Sequence, residues 1–220
     1  LGVVLVMRRL RSTARPDRGF TLVELSVAGL LSTIVVTAVV LMFNSLSQNA
    51  ADARQQAEIQ AVTRDVADDM AAELRAAVPA RPGDAAVDSL SSGSLVFYTS
   101  RYGGVGPVKV VYERINCSAG VCSLRERRYP VVSGSGPNWQ YSTTASLDSI
   151  VLPRVADGYA VFSGVKWSGT PLARTTVSSC GGSTRCDFPL VAVDLRVVPP
   201  TTSKITTPFI LYQEVELRNV

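Results

Sequence analysis

The sequence predicts an α+β protein, one long N-terminal helix packed on an antiparallel β-sheet. Three observations predict it. Residues 20–43 form an apolar run of 24 residues with one charge, Glu24. From Phe20 to Val78 no proline occurs and Gly29 is the only glycine, so nothing stops a helix before Pro79. From Ser94 onward the pattern changes to short β-rich runs separated by Gly, Pro, Ser and Asn.

The apolar run comes first. At ~1.5 Å rise per residue it spans ~36 Å, enough to cross a bilayer core of ~30 Å with some tilt. A cleaved secretory signal would have a shorter apolar region, ~7–15 residues, before a small-residue cleavage site. Upstream lie Arg8, Arg9, Arg11, Arg15 and Arg18 against Asp17, which places the preceding residues on the cytoplasmic side. These six charges account for the whole formal charge of +4, since the rest of the chain holds 17 basic and 17 acidic residues. A globally basic, nucleic-acid-binding surface is therefore not expected. Glu24 remains to be explained, because a carboxylate within a membrane segment costs ~2.5–3.5 kcal/mol on insertion scales and needs a partner.

Arg18-Gly19-Phe20-Thr21-Leu22-Val23-Glu24-Leu25 resembles, position for position, the signature of type IV prepilins and of the related pseudopilins of type II secretion. The match spans about 30 residues: a basic leader, Gly before the scissile bond, Phe after it, Glu four residues beyond that Phe, and a long apolar helix. The resemblance implies that residues 1–19 are a leader removed by a membrane prepilin peptidase, which cuts between Gly19 and Phe20 and N-methylates the new Phe20 amine. It also implies a type IV pilin-like fold, and an inner-membrane anchor with a domain outside the cytoplasm before assembly and a place at the cell surface after it. The implied partners are other pilin subunits joined through a helix bundle, the peptidase/N-methyltransferase, and an inner-membrane assembly platform. Within the class, the mature size, the two cysteine pairs and the β-rich body look most like PilW-type minor pilins. A J-like minor pseudopilin, or a pilus-tip adhesin or DNA-uptake subunit, is the alternative. Many major pilins kink the membrane half at a proline, which this chain lacks. Leu1–Val6 suits no such leader, and Met7, opening a short basic stretch, is the expected natural start.

Physical chemistry gives Glu24 a role consistent with the resemblance. Cleavage at Gly19 would leave an α-amine on Phe20 with a reference pKa of about 7.7–8.0, a cation at the membrane boundary. A Glu24 carboxylate of an adjacent subunit would compensate it where the dielectric is low.

Residues 44–78 are read as the amphipathic half of the same helix. Ile59, Val62, Val66, Met70, Leu74 and Val78 form the expected stripe, with Asp65, Asp68, Asp69 and Glu73 between them on the polar side. Residues 79–220 form the expected β-rich domain. Strands are predicted over 94–100, 108–116, 121–129, 159–167, 188–198 and 208–218, and residues 130–149 are expected to be a long surface loop. Arg125, Arg127 and Arg128 form a basic cluster, read as the solvated face of a strand.

The cysteines fall into two local pairs, Cys117 with Cys122 and Cys180 with Cys186. Outside the cytoplasm two short-loop disulfides are expected. Crossed pairing and a four-thiolate zinc site are the alternatives, the latter handicapped by spacing wider than usual and by the lack of histidine.

Catalysis has few residues to use. Histidine, the commonest general base, is absent, and lysine occurs only at 109, 166 and 204. Gly103-Gly104-Val105-Gly106 runs into Pro107 rather than into the Gly-Lys-Ser/Thr of a phosphate loop, and reads as a turn. No enzyme activity, cofactor or metal is expected.

Overall fold

The computed structural model describes residues 20–136, 138–168, 173–200 and 206–218. The chain divides into two compact units, 1–49 and 50–220, and one helix, α1 (Leu22–Arg75), runs through the boundary. In the first unit every described residue is exposed, including Leu22, Val35 and Phe43. The helix is long and apolar enough to cross a membrane.

The second unit is built on antiparallel strands: β1 (Val87–Ser91), β2 (Ser94–Thr99), β3 (Val108–Ser118), β4 (Val121–Tyr129), β5 (Val131–Ser133), β6 (Gln140–Tyr141), β7 (Leu147–Ala156), β8 (Phe162–Ser168), β9 (Ala173–Val177), β10 (Leu190–Val197) and β11 (Phe209–Glu216). The main sheet runs β1-β2-β3-β4-β7-β10-β8-β9, and β11 covers the full length of β10. The opposite edge of β10 is shared, β8 taking Leu190–Val193 and β7 meeting Val197. Backbone bonds from Val161 N–H to Ser92 O (2.7 Å), and in both directions between Leu90 and Cys180, join the β1 end to the β8–β9 end. The sheet therefore curls into a half-barrel, while β5 and β6 form a small hairpin of their own. The architecture is α+β, a long helix followed by an antiparallel sheet.

The helix contributes Ala67, Met70, Ala71 and Leu74 to a core that also holds Phe97, Val110, Tyr112, Leu124, Leu152, Phe162 and Leu195. Met70 and Leu74 fill volume, and the two alanines let the helix backbone approach the sheet. Phe97 stacks on Tyr112 with ring centroids 6.3 Å apart, and Tyr112 meets Phe162 at 6.4 Å. The buried face is rotated slightly from the expected stripe, of which Met70 and Leu74 are buried and Ile59 and Val66 pack partly buried against the core. Val62 is 42% exposed, whereas Thr63, Ala67, Ala71 and Glu73 are buried. Small and polar residues carry half of this face, so a count of large apolar side chains placed its centre wrongly.

The helix ends three residues before the expected Val78, and pairing ends it before Pro79 can. Ala77 bridges to Thr99, and Val78 N–H donates to Tyr98 O at 2.9 Å. Thr99 Oγ1 donates to the Glu73 carbonyl and Ser100 N–H to the Ala76 carbonyl, both at 3.0 Å, so the β2 terminus caps carbonyls that the last helical turn leaves open.

All six expected strands are present, β4 with the expected bounds, β3 two residues longer and the others shifted or shortened at their ends, while β1, β5, β6, β7 and β9 are additional to the expectation. The segment 130–149, expected to be a surface loop, contains the β5–β6 hairpin and the start of β7. Pro153 lies inside β7, which bulges where the β4–β7 register shifts between Cys122 and Leu124. The bulge removes the need for the N–H that proline lacks.

Truncating Leu74 to Ala should cost about 2–5 kcal/mol, because the site is fully buried. Val62→Ala, on the expected but exposed position, should stay within ~0.5 kcal/mol. Thermal unfolding of the two variants in parallel tests the rotated face.

Candidate functional site

The first candidate is the start of the helix. Thr21 precedes the first helical residue and Glu24 lies three positions on, the spacing of a capping box. The geometry completes both halves of it. Glu24 N–H donates to Thr21 Oγ1 at 3.2 Å, while Glu24 Oε2 accepts from Thr21 N–H and from Thr21 Oγ1, each at 3.0 Å. Two amides that the helix cannot satisfy internally are thereby paired, and the carboxylate sits at the positive end of the helix dipole. Glu24 Oε1 makes no hydrogen bond among the described residues, and Phe20 is 86% exposed. The carboxylate is half satisfied within its own chain and half open. The sequence reading gave Glu24 only an intermolecular partner and missed Thr21, although the Thr-Leu-Val-Glu spacing carried the signal. Gly19 and the rest of the expected leader, residues 1–19, lie outside the described residues.

The cysteines are joined as Cys117–Cys122 and Cys180–Cys186, and no cysteine is free among the described residues. The first bridge straddles the tip of the β3–β4 hairpin. There Ala119 and Gly120 both take positive φ, 50° and 77°, as a two-residue hairpin turn of matching twist requires. Asp157 places a carboxylate near Cys117 and Cys122, but sulfurs already joined to each other offer no thiolate to a metal.

A second polar constellation lies inside the domain. Glu73 projects from α1 into the core with no exposed surface. Tyr112 OH of β3 donates to its Oε2 at 2.8 Å, and Arg128 Nη2 of β4 donates to its Oε1 at 2.9 Å. Tyr102 OH also donates to Oε1, and the Arg128 guanidinium lies 4.0 Å over the Tyr102 ring. Arg128 is shared with a second buried carboxylate, Glu126 of β4. Arg101 pairs with Asp69 one turn earlier on the helix, at 3.0 Å. Two carboxylates thus divide one guanidinium in a desolvated space. Burial, reinforced by the charge of Glu126, pushes Glu73 up to about 7 despite its three donors. Burial also raises Glu126, against the pull of Arg128. Glu73 does not lie on the polar side of the helix, where its place between the stripe residues predicts it, but is buried and pins α1 to β3 and β4.

The basic cluster is likewise not a solvated face. Arg125 and Arg127 both pair with Glu113 across the β3–β4 ladder, and Arg128 turns inward to Glu73. The cross-strand neighbour Glu113 supplies the anion that a reading of β4 alone cannot see.

Glu73 has a testable pH signature. Its folded-state pKa, about 7, exceeds the unfolded value near 4.5, so the folded state holds the proton where the unfolded state has lost it. This contribution is complete below about pH 4.5 and is lost as pH rises to about 7. Glu73→Gln should remove that share of the slope. The Tm difference, variant minus wild type, should grow from pH 5 to pH 8 in parallel melts, and a constant difference would show that Glu73 does not titrate in this window.

Compared with family models, curated proteins and solved structures, the chain matches none.

Proposed function

We propose that this chain is a prepilin-class structural subunit, a minor pilin of a type IV pilus without catalytic activity of its own. The observation that carries the reading is the segment Arg18–Leu25, with Gly19, Phe20 and Glu24 in the prepilin arrangement, directly ahead of an uninterrupted apolar helix. The body of the chain supports it. A helix with one fully exposed apolar half needs lipid or other helices around that half, and a domain with two disulfides suits an oxidising compartment. A long helix laid on an antiparallel sheet is the architecture the pilin-like fold requires.

In this reading the prepilin peptidase cuts after Gly19 and methylates Phe20 while the chain sits in the inner membrane. The assembly platform then passes the subunit into a bundle of like helices. Glu24 serves twice. Before assembly Thr21 holds one carboxylate oxygen and lowers the cost of keeping the charge near lipid. On assembly the second oxygen meets the Phe20 amine of a neighbouring subunit.

Mass spectrometry of the chain extracted from cells should give a mature terminus at N-methyl-Phe20, and a terminus at any other residue removes the reading. Glu24→Ala should abolish entry into the pilus fraction at unchanged membrane abundance. Thr21→Val, which removes only the hydroxyl contacts at a cost of about 1 kcal/mol, should reduce entry far less. Equal losses in the two variants would mean that Glu24 acts only as a helix cap.

A further inference from the structure

Beside the turn that follows α1 the domain has a cleft of about 570 Å³, within the range of roughly 300–1,000 Å³ typical of small-ligand sites. Its walls come from four places: the post-helix turn 80–85, strands β1 and β2, the end of the 134–139 loop with β6, and the loop closed by Cys180–Cys186. The last wall is fixed in place. Cys180 exchanges both backbone bonds with Leu90, at 3.0 and 2.9 Å, and Cys186 Sγ lies 3.7 Å from the Asp88 carbonyl. A Cβ on Gly181 would come within 2.7 Å of Ser89 Cβ, so only glycine lets this loop approach β1 so closely.

Three aromatic side chains line the cleft, Tyr98, Tyr141 and Trp139. The two tyrosine rings lie 5.2 Å apart at 36°. Trp139 packs over Gly106, where an added Cβ would lie 3.0 Å from the indole. Two carboxylates, Asp84 and Asp88, and two guanidiniums, Arg81 and Arg185, also line the cleft, all four exposed to solvent. None of these four makes an ion pair among the described residues. The phenolic oxygen of Tyr141 is buried without a hydrogen-bond partner among them. Burial, then the charge of Asp88, pushes both tyrosines up to about 12, so they stay protonated donors.

The chemistry of the lining selects a ligand class. A cation would meet two arginines, and an anion two aspartates. A purely apolar ligand would displace water from the four charges with nothing to replace it and would leave the Tyr141 hydroxyl without a partner. A pyranose ring has an apolar face to lie on an aromatic ring, and its adjacent hydroxyls both donate to carboxylates and accept from guanidiniums. We propose that the cleft lined by Tyr98, Trp139, Tyr141, Asp88 and Arg185 binds a neutral saccharide. This does not rest on the prepilin reading, and the cleft would serve an adhesive subunit or any other glycan-binding protein equally.

The test uses the full chain in detergent micelles on an array of neutral and acidic oligosaccharides. The strongest neutral binder is then titrated against the Trp167→Phe variant, which leaves Trp139 as the sole indole. Saturable binding of a neutral glycan with a change in Trp139 emission is expected. Asp88→Asn and Tyr141→Phe should each weaken it at least tenfold at unchanged Tm. Binding of no glycan, of acidic glycans only, or equal binding by both variants would overturn the proposal. None of these results bears on the terminus at Phe20, which is read separately.

Discussion

One helix has to satisfy two different surroundings, and the rest of the structure follows from how it does so. In its first half all faces are apolar and exposed, so the sequence needs no period there. In its second half one face is buried, and that face is built from Ala67, Met70, Ala71 and Leu74 rather than from a row of large side chains. Two glutamates on the same helix mark the contrast. Glu24 is held by the backbone of its own first turn and keeps one oxygen open, whereas Glu73 is enclosed by tyrosines and an arginine that the sheet delivers. An acid near lipid is tolerable when it caps a helix end. An acid in a protein core is tolerable when donors from several strands converge on it.

The convergence at Glu73 also gives the packing a register. A stripe of methyl and methylene groups tolerates small slides of helix over sheet, but a carboxylate that must meet Tyr112, Tyr102 and Arg128 together does not. Burial, and after it the charge of Glu126, which shares Arg128, is why Glu73 holds its proton up to about pH 7. The cost falls on stability at higher pH, and the gain is a single seating of α1 on β3 and β4.

What the sequence made legible follows the range of the signals involved. The long helix was readable because nothing interrupts it for more than 50 residues, and six strands because each is a dense β-rich run. Strand β7 contains Pro153, whose tolerance depends on a bulge of β7 itself against β4 that only the pairing reveals. The rotated helix face was hidden because alanine and threonine carry weak hydrophobic signals, and they are buried by what the sheet places over them. At the candidate sites, the Thr21–Glu24 cap was written in the spacing and overlooked. The partners of Glu73 lie 29–55 residues away along the chain, and Glu113, the partner of Arg125 and Arg127, sits on the neighbouring strand, so no local window contains them. The cleft is the extreme case, since its aromatic and charged walls are four separate segments brought together only by the curl of the sheet.

The two disulfides each have one buried cysteine, Cys122 in one and Cys186 in the other. Each closes a loop of only a few residues, for which the chain-entropy model gives on the order of 2 kcal/mol. Neither bridge joins distant parts of the chain, so neither sets the topology. Their positions give a better account of them. Cys117–Cys122 ties the tip of a hairpin whose turn holds an alanine, Ala119, at positive φ, a backbone state that a non-glycine residue resists. Cys180–Cys186 stiffens the loop that bonds to Leu90 on the outer edge of β1, an edge otherwise open to pairing with another chain. The same contact closes the half-barrel and forms one wall of the cleft. Holding that loop rigid therefore serves the sheet edge and the cleft together, since a wall that had to be ordered on binding would take its entropy from the affinity.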